Sequence, residues 1–272
     1  MYWTDMDHSF CEASINGLPE YYNSISSLFI IMFGLYGMMN KTNELFIDIL
    51  YANLSVVGFG SVGYHWYGNI GWGLLDEIPM ILAIYTGIVY ADNVHYLIYN
   101  NNNNNNNNII NNNNSLVQKQ IINQKKGRLL LYFLSMVIII ITNVMENFRR
   151  VFPAVFTGAV LYLYYKIFLL LQIMNPIVKP QVTTTAKNTL CTIAASGTIW
   201  VTTEISCNYF KYRIFLLGHP MWHFFIGHGF YNLIQLVYFI KQNNMKNKLS
   251  YNKIYLLQIE NAENEMSKNS KI

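Results

Sequence analysis

"GSVGYHWYGNIGWGLLDEIPM", Gly60 to Met80, is the stretch that decides the fold. Most of it is apolar, yet Ser61, His65, Asp76 and Glu77 interrupt the run. Ser61 and His65 stand four residues apart, which on an α-helix puts them on one face, about 6 Å apart along the axis. If one helix ends near residue 66 and the next begins near 74, a short turn brings a hydroxyl, an imidazole and a carboxylate to one level. Whether that level is a membrane surface depends on the flanking sequence.

The chain has 272 residues, of which 53% are hydrophobic and 12% charged, about half the charge of a soluble globule. Its apolar residues come in blocks, several near the roughly 20 residues that cross a bilayer. The pattern predicts an all-α polytopic membrane protein, a bundle of seven transmembrane helices at about 24–40, 46–66, 74–99, 128–145, 152–174, 186–207 and 218–240. The third carries Asp92, Asn93 and His95 in its second half and the sixth is rich in Thr and Ser, so a six-span division also fits.

Lys and Arg near the membrane set orientation. With the N-terminus outside, the inner side collects Lys41, Lys119, Lys125, Lys126, Arg128, Lys179 and Lys187, plus six lysines of the tail. The outer side collects Arg149, Arg150, Lys211 and Arg213. Thirteen against four predicts a lumenal or external N-terminus and a cytosolic C-terminus, and the acidic start with Asp5, Asp7, Glu12 and Glu20 agrees. The net charge of +4 then reflects topology, and no nucleic-acid partner is expected. The first twenty residues lack the basic start and apolar core of a cleavable signal, so the first span is expected to do the targeting.

These features divide the chain into a membrane domain, 1–240, and a polar cytosolic tail, 241–272, expected to be disordered. The domain includes a lumenal segment, 1–23, and an Asn-rich cytosolic loop at about 100–126 that cannot bury enough apolar surface to fold. Cys11 and Cys207 both fall on the outer side; a disulfide and two unpaired small residues fit the pattern equally. Cys191 is read as a core residue.

Ionisable groups inside a bilayer are costly and therefore candidates for function. The second span ends outside with Ser61 and His65, the third starts outside with Asp76, and the seventh starts outside with "GHPMWHFFIGHG". His219 and His223, again four apart, thus share a depth with His65 and Asp76. His228 turns about 140° away from His223, His95 lies too deep, and both are excluded along with His8. Three histidines from two helices match the ligand set of a catalytic zinc site, although a lone membrane histidine more often bonds between helices. Pro220 stands where a soluble zinc protease has its Glu, so the general base must come from elsewhere. Asp76 is the nearest carboxylate by topology, as base or as a partner orienting a histidine. Ser61 is compatible with helix packing, ligation or donation to an oxyanion. Glu77 receives no role and is taken to turn towards the lumen.

Taken in order, "FCE", "EYYNSISS", "GSVGYH", "LLDEIPM" and "HPMWH" resemble the alkaline ceramidase family of seven-span membrane amidases, over residues 9–235 apart from the Asn-rich loop. The resemblance implies cleavage of ceramide to a fatty acid and a sphingoid base by a zinc-activated water. His65, His219 and His223 would hold Zn2+, Asp76 would carry the proton and Ser61 would steady the oxyanion. A ceramide-type lipid and the bilayer are the implied partners, and the endoplasmic reticulum or Golgi the expected location.

The family also holds a calcium ion through an N-terminal D-W-C-E-x-N followed by A-E-F-x-N-T. This chain reads "SFCEASI" and "PEYYNS", with Ser9 and Ser14 in place of the Asp and Asn and a shorter spacing from Glu12 to Glu20. Glu12, Glu20 and the Phe10 carbonyl, helped by Asp7, are the candidate Ca2+ ligands, a thin set beside the six to eight oxygens Ca2+ prefers. The alternative is an acidic cap facing the lumen. For the whole chain, the alternatives to an amidase are a seven-span lipid receptor or sensor without turnover, and a membrane lipid esterase.

Overall fold

The computed structural model describes residues 10–40, 42, 44–106, 129–130, 132–138, 140–141, 152–172 and 179–245. Asp7, Arg149 and Arg150, most of the Asn-rich segment and the tail beyond 245 lie outside them. Among the described residues the regular structure is helical. A short α1 (Cys11–Asn16) precedes six long helices: α2 (Tyr21–Met39), α3 (Leu45–Tyr67), α4 (Ile70–Asn106), α5 (Phe152–Gln172), α6 (Lys179–Phe210) and α7 (Gly218–Met245). Further helical residues lie at 132–138.

Among the described residues, four helical stretches are long and apolar enough to cross a membrane: Tyr21–Met39, Leu45–Tyr67, Ile70–Ile98 and Ala154–Gln172. The helices α6 and α7 are long but more polar. In α6 the polarity is largely satisfied within the helix. The hydroxyls of Thr184, Thr189, Thr192, Thr198 and Thr202 each donate to the carbonyl four residues back, at 2.7–3.0 Å. A threonine bonded this way presents its methyl group outward, which an apolar surround tolerates.

The turn inside Gly60–Met80 is tighter than the sequence pattern predicts. Gly68 closes α3 in the left-handed region (φ 69°), with its N–H donating to Tyr64 O at 2.7 Å. One residue later the side chain of Asn69 accepts from Trp72 N–H at 3.2 Å, so α4 starts at residue 70 rather than 74. At its other end α4 runs on through Asn106, past the 99 expected for the end of the span. Once a helix exists, each added asparagine costs only tenths of a kcal/mol, so backbone hydrogen bonding carries it past the last apolar residue.

Successive helices pack as neighbours, and α7 returns to lie against α2, closing the bundle. Small residues set the closest approaches. A methyl group on Gly58 would lie 2.6 Å from Ile31 of α2, and one on Gly60 would lie 2.5 Å from the backbone nitrogen of Asp76 on α4. The interior is built from Tyr51, Ile84, Ile88, Leu163, Ile167 and Leu236, among others. Cys191 is not part of it. The packed face of α6 runs through Val182, Ala186, Thr189, Ile193 and Ser196, and Cys191, two residues from both 189 and 193, is exposed on the outside of the bundle.

The two ends of the bundle differ. At one, Glu44 accepts from Tyr90 Oη (2.6 Å), Lys241 Nζ (2.6 Å) and Gln242 (3.0 Å), tying the start of α3 to the end of α7. At the other, a disulfide joins Cys11 to Cys207 of α6, with the Cα atoms 5.7 Å apart. The N-terminal segment and the end of α7 are therefore at opposite ends.

Candidate metal centre

The end that carries the disulfide also collects the histidines. His65 comes from the last turn of α3, and His219 and His223 from the first two turns of α7. All three are buried, their ring centroids are 4.7–5.1 Å apart, and one ligand atom from each lies within 4.8 Å of the others.

In every case Nδ1 has a partner. His65 Nδ1 lies 2.5 Å from Glu20 Oε2. His223 Nδ1 lies 2.8 Å from the Ser26 hydroxyl, whose proton goes to Asn23 O, and 3.3 Å from Ser27. His219 Nδ1 lies 3.3 Å from Glu204 Oε1 and 3.1 Å from the Trp200 indole nitrogen. A histidine that ligates through Nε2 carries its proton on Nδ1, so Glu204 rather than Trp200 is the partner in that state. With Nδ1 engaged, Nε2 is the nitrogen each ring would offer a metal, with a hydrogen-bond acceptor orienting the ring from behind, the pattern of metal-ligating histidines. In a tetrahedral zinc site with Zn–N near 2.0–2.1 Å the nitrogens are about 3.3 Å apart, so small side-chain shifts would bring these three onto one ion. The donor set therefore fits Zn2+.

Ser61 and Asp76 adjoin this group. Ser61 Oγ is 3.4 Å from His223 Nε2, accepts from Ser27 Oγ at 3.0 Å and donates to the Asp76 carboxylate. Gly60 makes that contact available: without a side chain, α3 reaches the backbone of α4 at Leu75 and Asp76. Glu77 does not simply turn towards solvent. It lines the same cavity as Asp76.

The N-terminal segment roofs the centre. The Phe10 ring sits 4.4 Å from His219 and 5.2 Å from His65, centroid to centroid. Glu12 accepts from Tyr22 and Asn23 N–H, and Glu20 accepts from Phe10 N–H. Burial pushes the Glu20 carboxyl up, but His65, Asn23 and the Phe10 N–H outweigh it and hold the group below its ordinary range. Glu204 reaches the roof as well, accepting from Cys11 N–H at 2.8 Å. His228 is elsewhere, against Phe224 and Asn232.

Below the centre lies a mainly apolar cavity of about 780 Å³, reaching Met80, Tyr90, Phe156 and Val237. Thr157 and Leu161 of α5, with Leu190, Ala194, Thr198 and Val201 of α6, line it and are themselves exposed. The cavity thus reaches the gap between α5 and α6.

Sequence reasoning misses Glu204, Trp200 and the histidine contacts of Glu20, Ser26 and Ser27. Glu204 carries a signal that could have found it, being a carboxylate within a predicted span. The serines carry none, because a hydroxyl in a span is most simply a packing residue.

Comparison with curated proteins returns no match. The family model described as Ceramidase matches residues 6–263, taking in α1 to α7 and every residue of the centre. On that match the chain belongs to the ceramidase family.

Proposed function

We propose that this chain hydrolyses the amide of ceramide to a fatty acid and a sphingoid base, with a water activated by zinc at His65, His219 and His223. The family supports ceramide hydrolysis in general. The observation that carries the finer reading is the convergence of three oriented histidines, a carboxylate and a hydroxyl at the head of a mainly apolar cavity. A zinc ion held there would lower the pKa of a water to about 7 and polarise the amide carbonyl.

The chain's own groups supply the rest. Asp76 takes a proton from the attacking water and returns it to the leaving nitrogen, which makes it base and then acid. Ser61, whose hydroxyl donates to Asp76 in the resting site, would give up that bond once Asp76 has taken the water's proton and turn its one O–H to the developing oxyanion. Glu20, Glu204 and Ser26 keep the three imidazoles fixed, so that no reorganisation is needed at the moment of reaction. The apolar cavity takes the hydrocarbon of a substrate that enters from the bilayer between α5 and α6. This reading places the centre on the lumenal face of an endoplasmic reticulum or Golgi membrane, in a seven-span bundle with a cytosolic C-terminus.

The test is turnover of defined ceramides by the purified protein in lipid nanodiscs, with the sphingoid base read by mass spectrometry. Wild type releases base, and Asp76→Asn lowers kcat by at least ~100-fold while keeping its zinc. A wild type that holds zinc but releases no base from any ceramide would favour a lipid receptor or sensor instead.

A further inference from the structure

We propose that the cavity below the metal centre measures the hydrocarbon chain it receives, with the clamped ring of Tyr90 as its floor. The proposal deepens, and rests on, the reading of this chain as a ceramide hydrolase.

The lining residues recur at helical spacing, so each helix gives the cavity one face. On α4 that face runs from Asp76 through Met80, Ala83 and Gly87 to Tyr90. The small residues at 83 and 87 leave room beside the helix, and the ring at 90 fills it. The deepest lining residues on the neighbouring helices are Leu50 of α3 and Val237 of α7. About one turn further along the same helices, Ile47, Val94 and Ile240 are buried in the packed core.

Ser61, Asp76 and His223 meet at the head of the cavity. Asp76 and Tyr90 are fourteen residues apart on α4, as are His223 and Val237 on α7, which at about 1.5 Å per residue comes to about 21 Å. Ser61 and Leu50 are eleven apart on α3, or about 17 Å. Each bond of an extended chain advances about 1.2 Å, a third of an extended peptide unit, so these depths hold about 14–17 bonds, a chain of about 14–18 carbons.

The floor is fixed in place. Tyr90 Oη donates to Glu44 Oε2 at 2.6 Å, and Glu44 is held in turn by Lys241 Nζ at 2.6 Å and Gln242 at 3.0 Å. The same Lys241 Nζ lies 5.5 Å from the centre of the Tyr90 ring, and the Phe46 ring lies 6.1 Å from it. A chain terminus pushing past the ring would part a partly buried ion pair and offer neither partner a polar replacement. Substrate arrives from lipid tails as apolar as the cavity, so each methylene that moves inside gains little. Length is therefore read by exclusion: chains that stop short of the floor are accepted alike, and longer ones overpack it.

The test uses zinc-loaded full-length protein in lipid nanodiscs and two ceramide series, one varying the acyl chain over roughly 12 to 24 carbons and the other the sphingoid base. The series whose chain occupies the cavity should show similar kcat/KM up to about 18 carbons and a ~10–100-fold drop at about 24. Tyr90→Ala, which leaves Glu44 its other two donors, should remove that drop, and Val237→Phe should move it below about 16 carbons. Length-independent turnover in wild type, as for a chain whose surplus runs out into lipid, or a wild-type profile in either folded variant, would overturn the proposal. Should Tyr90→Ala fail to fold, Val237→Phe decides, because its larger side chain enters open space.

A binding measurement separates this proposal from the one beneath it. Free fatty acids and sphingoid bases of the same lengths, offered to the protein in detergent as an equimolar mixture, would be read by mass spectrometry after gel filtration. A retention cut-off that shifts with Val237→Phe, in a protein that cleaves no ceramide, keeps the measuring cavity and discards the hydrolase reading. Ceramide cleavage without a cut-off in either measurement does the reverse.

Discussion

Gly60→Ala is the smallest change that separates the two halves of the proposed catalytic machinery without touching either. The added methyl would lie 2.5 Å from the backbone nitrogen of Asp76, where ordinary contact begins at 3.4 Å. The obstruction is main chain, so no rotamer relieves it, and α3 must move about 0.9 Å away from α4. Ser61 and His65 move with α3, while Asp76 stays on α4. Overpacking of this kind costs about 1–3 kcal/mol of stability. A displacement near 1 Å at a reacting group costs about 100-fold in rate, or about 2.7 kcal/mol of activation free energy. The assay is kcat for ceramide cleavage alongside metal content and Tm. Zinc should be retained, because ligand side chains adjust more readily than backbones, and kcat should fall by ~100-fold. Wild-type kcat in a folded Gly60→Ala protein would refute the claim that the α3–α4 approach sets the geometry of Ser61 and Asp76.

Other expectations follow from individual contacts. Glu204→Ala removes the acceptor for both His219 Nδ1 and Cys11 N–H, and should weaken zinc binding by ~10–100-fold, read by competition with a chromogenic chelator. Cys207→Ser frees α1 from α6 and should lower Tm, as should a reductant acting on wild type, with the two effects not adding. Lys166→Ala leaves Asp92, half-buried beside Tyr132, without the ammonium group now 2.9 Å away. It should cost about 2 kcal/mol in unfolding free energy and leave kcat per folded molecule unchanged, the cluster being far from the metal centre.

How much of this is legible in the sequence depends on whether the relevant geometry is local. His219 and His223 pair by helical spacing alone, and their common depth with His65 and Asp76 follows from the order of the helices. The roles of Glu20 and Glu204 are not local. Glu204 and His219 lie fifteen residues apart across the turn between α6 and α7, and their meeting depends on the left-handed Lys211 (φ 48°) and the 3-10 turn Arg213–Leu217 that reverse the chain. Glu20 reads as an acidic lumenal residue until α2 is packed on α3, which brings its carboxylate to His65 Nδ1. The orientation of Cys191 fails for a related reason. A Thr-rich helix shows little apolar periodicity, so its packed face emerges only once Ile193 and Ser196 have been placed. The helical Asn100–Asn106 marks the opposite limit, where composition points to loop and the momentum of a long helix prevails.

Metal stoichiometry tests the central claim most directly. Purified wild-type protein, His65→Ala, His219→Ala and His223→Ala would be analysed by inductively coupled plasma mass spectrometry after removal of loosely bound ions, with ceramide turnover measured on the same samples. One zinc per chain is predicted in wild type, with little in any of the three variants and turnover falling in proportion to the zinc lost. A wild-type protein that cleaves ceramide with no stoichiometric metal, or three variants that keep both zinc and activity, would contradict the account.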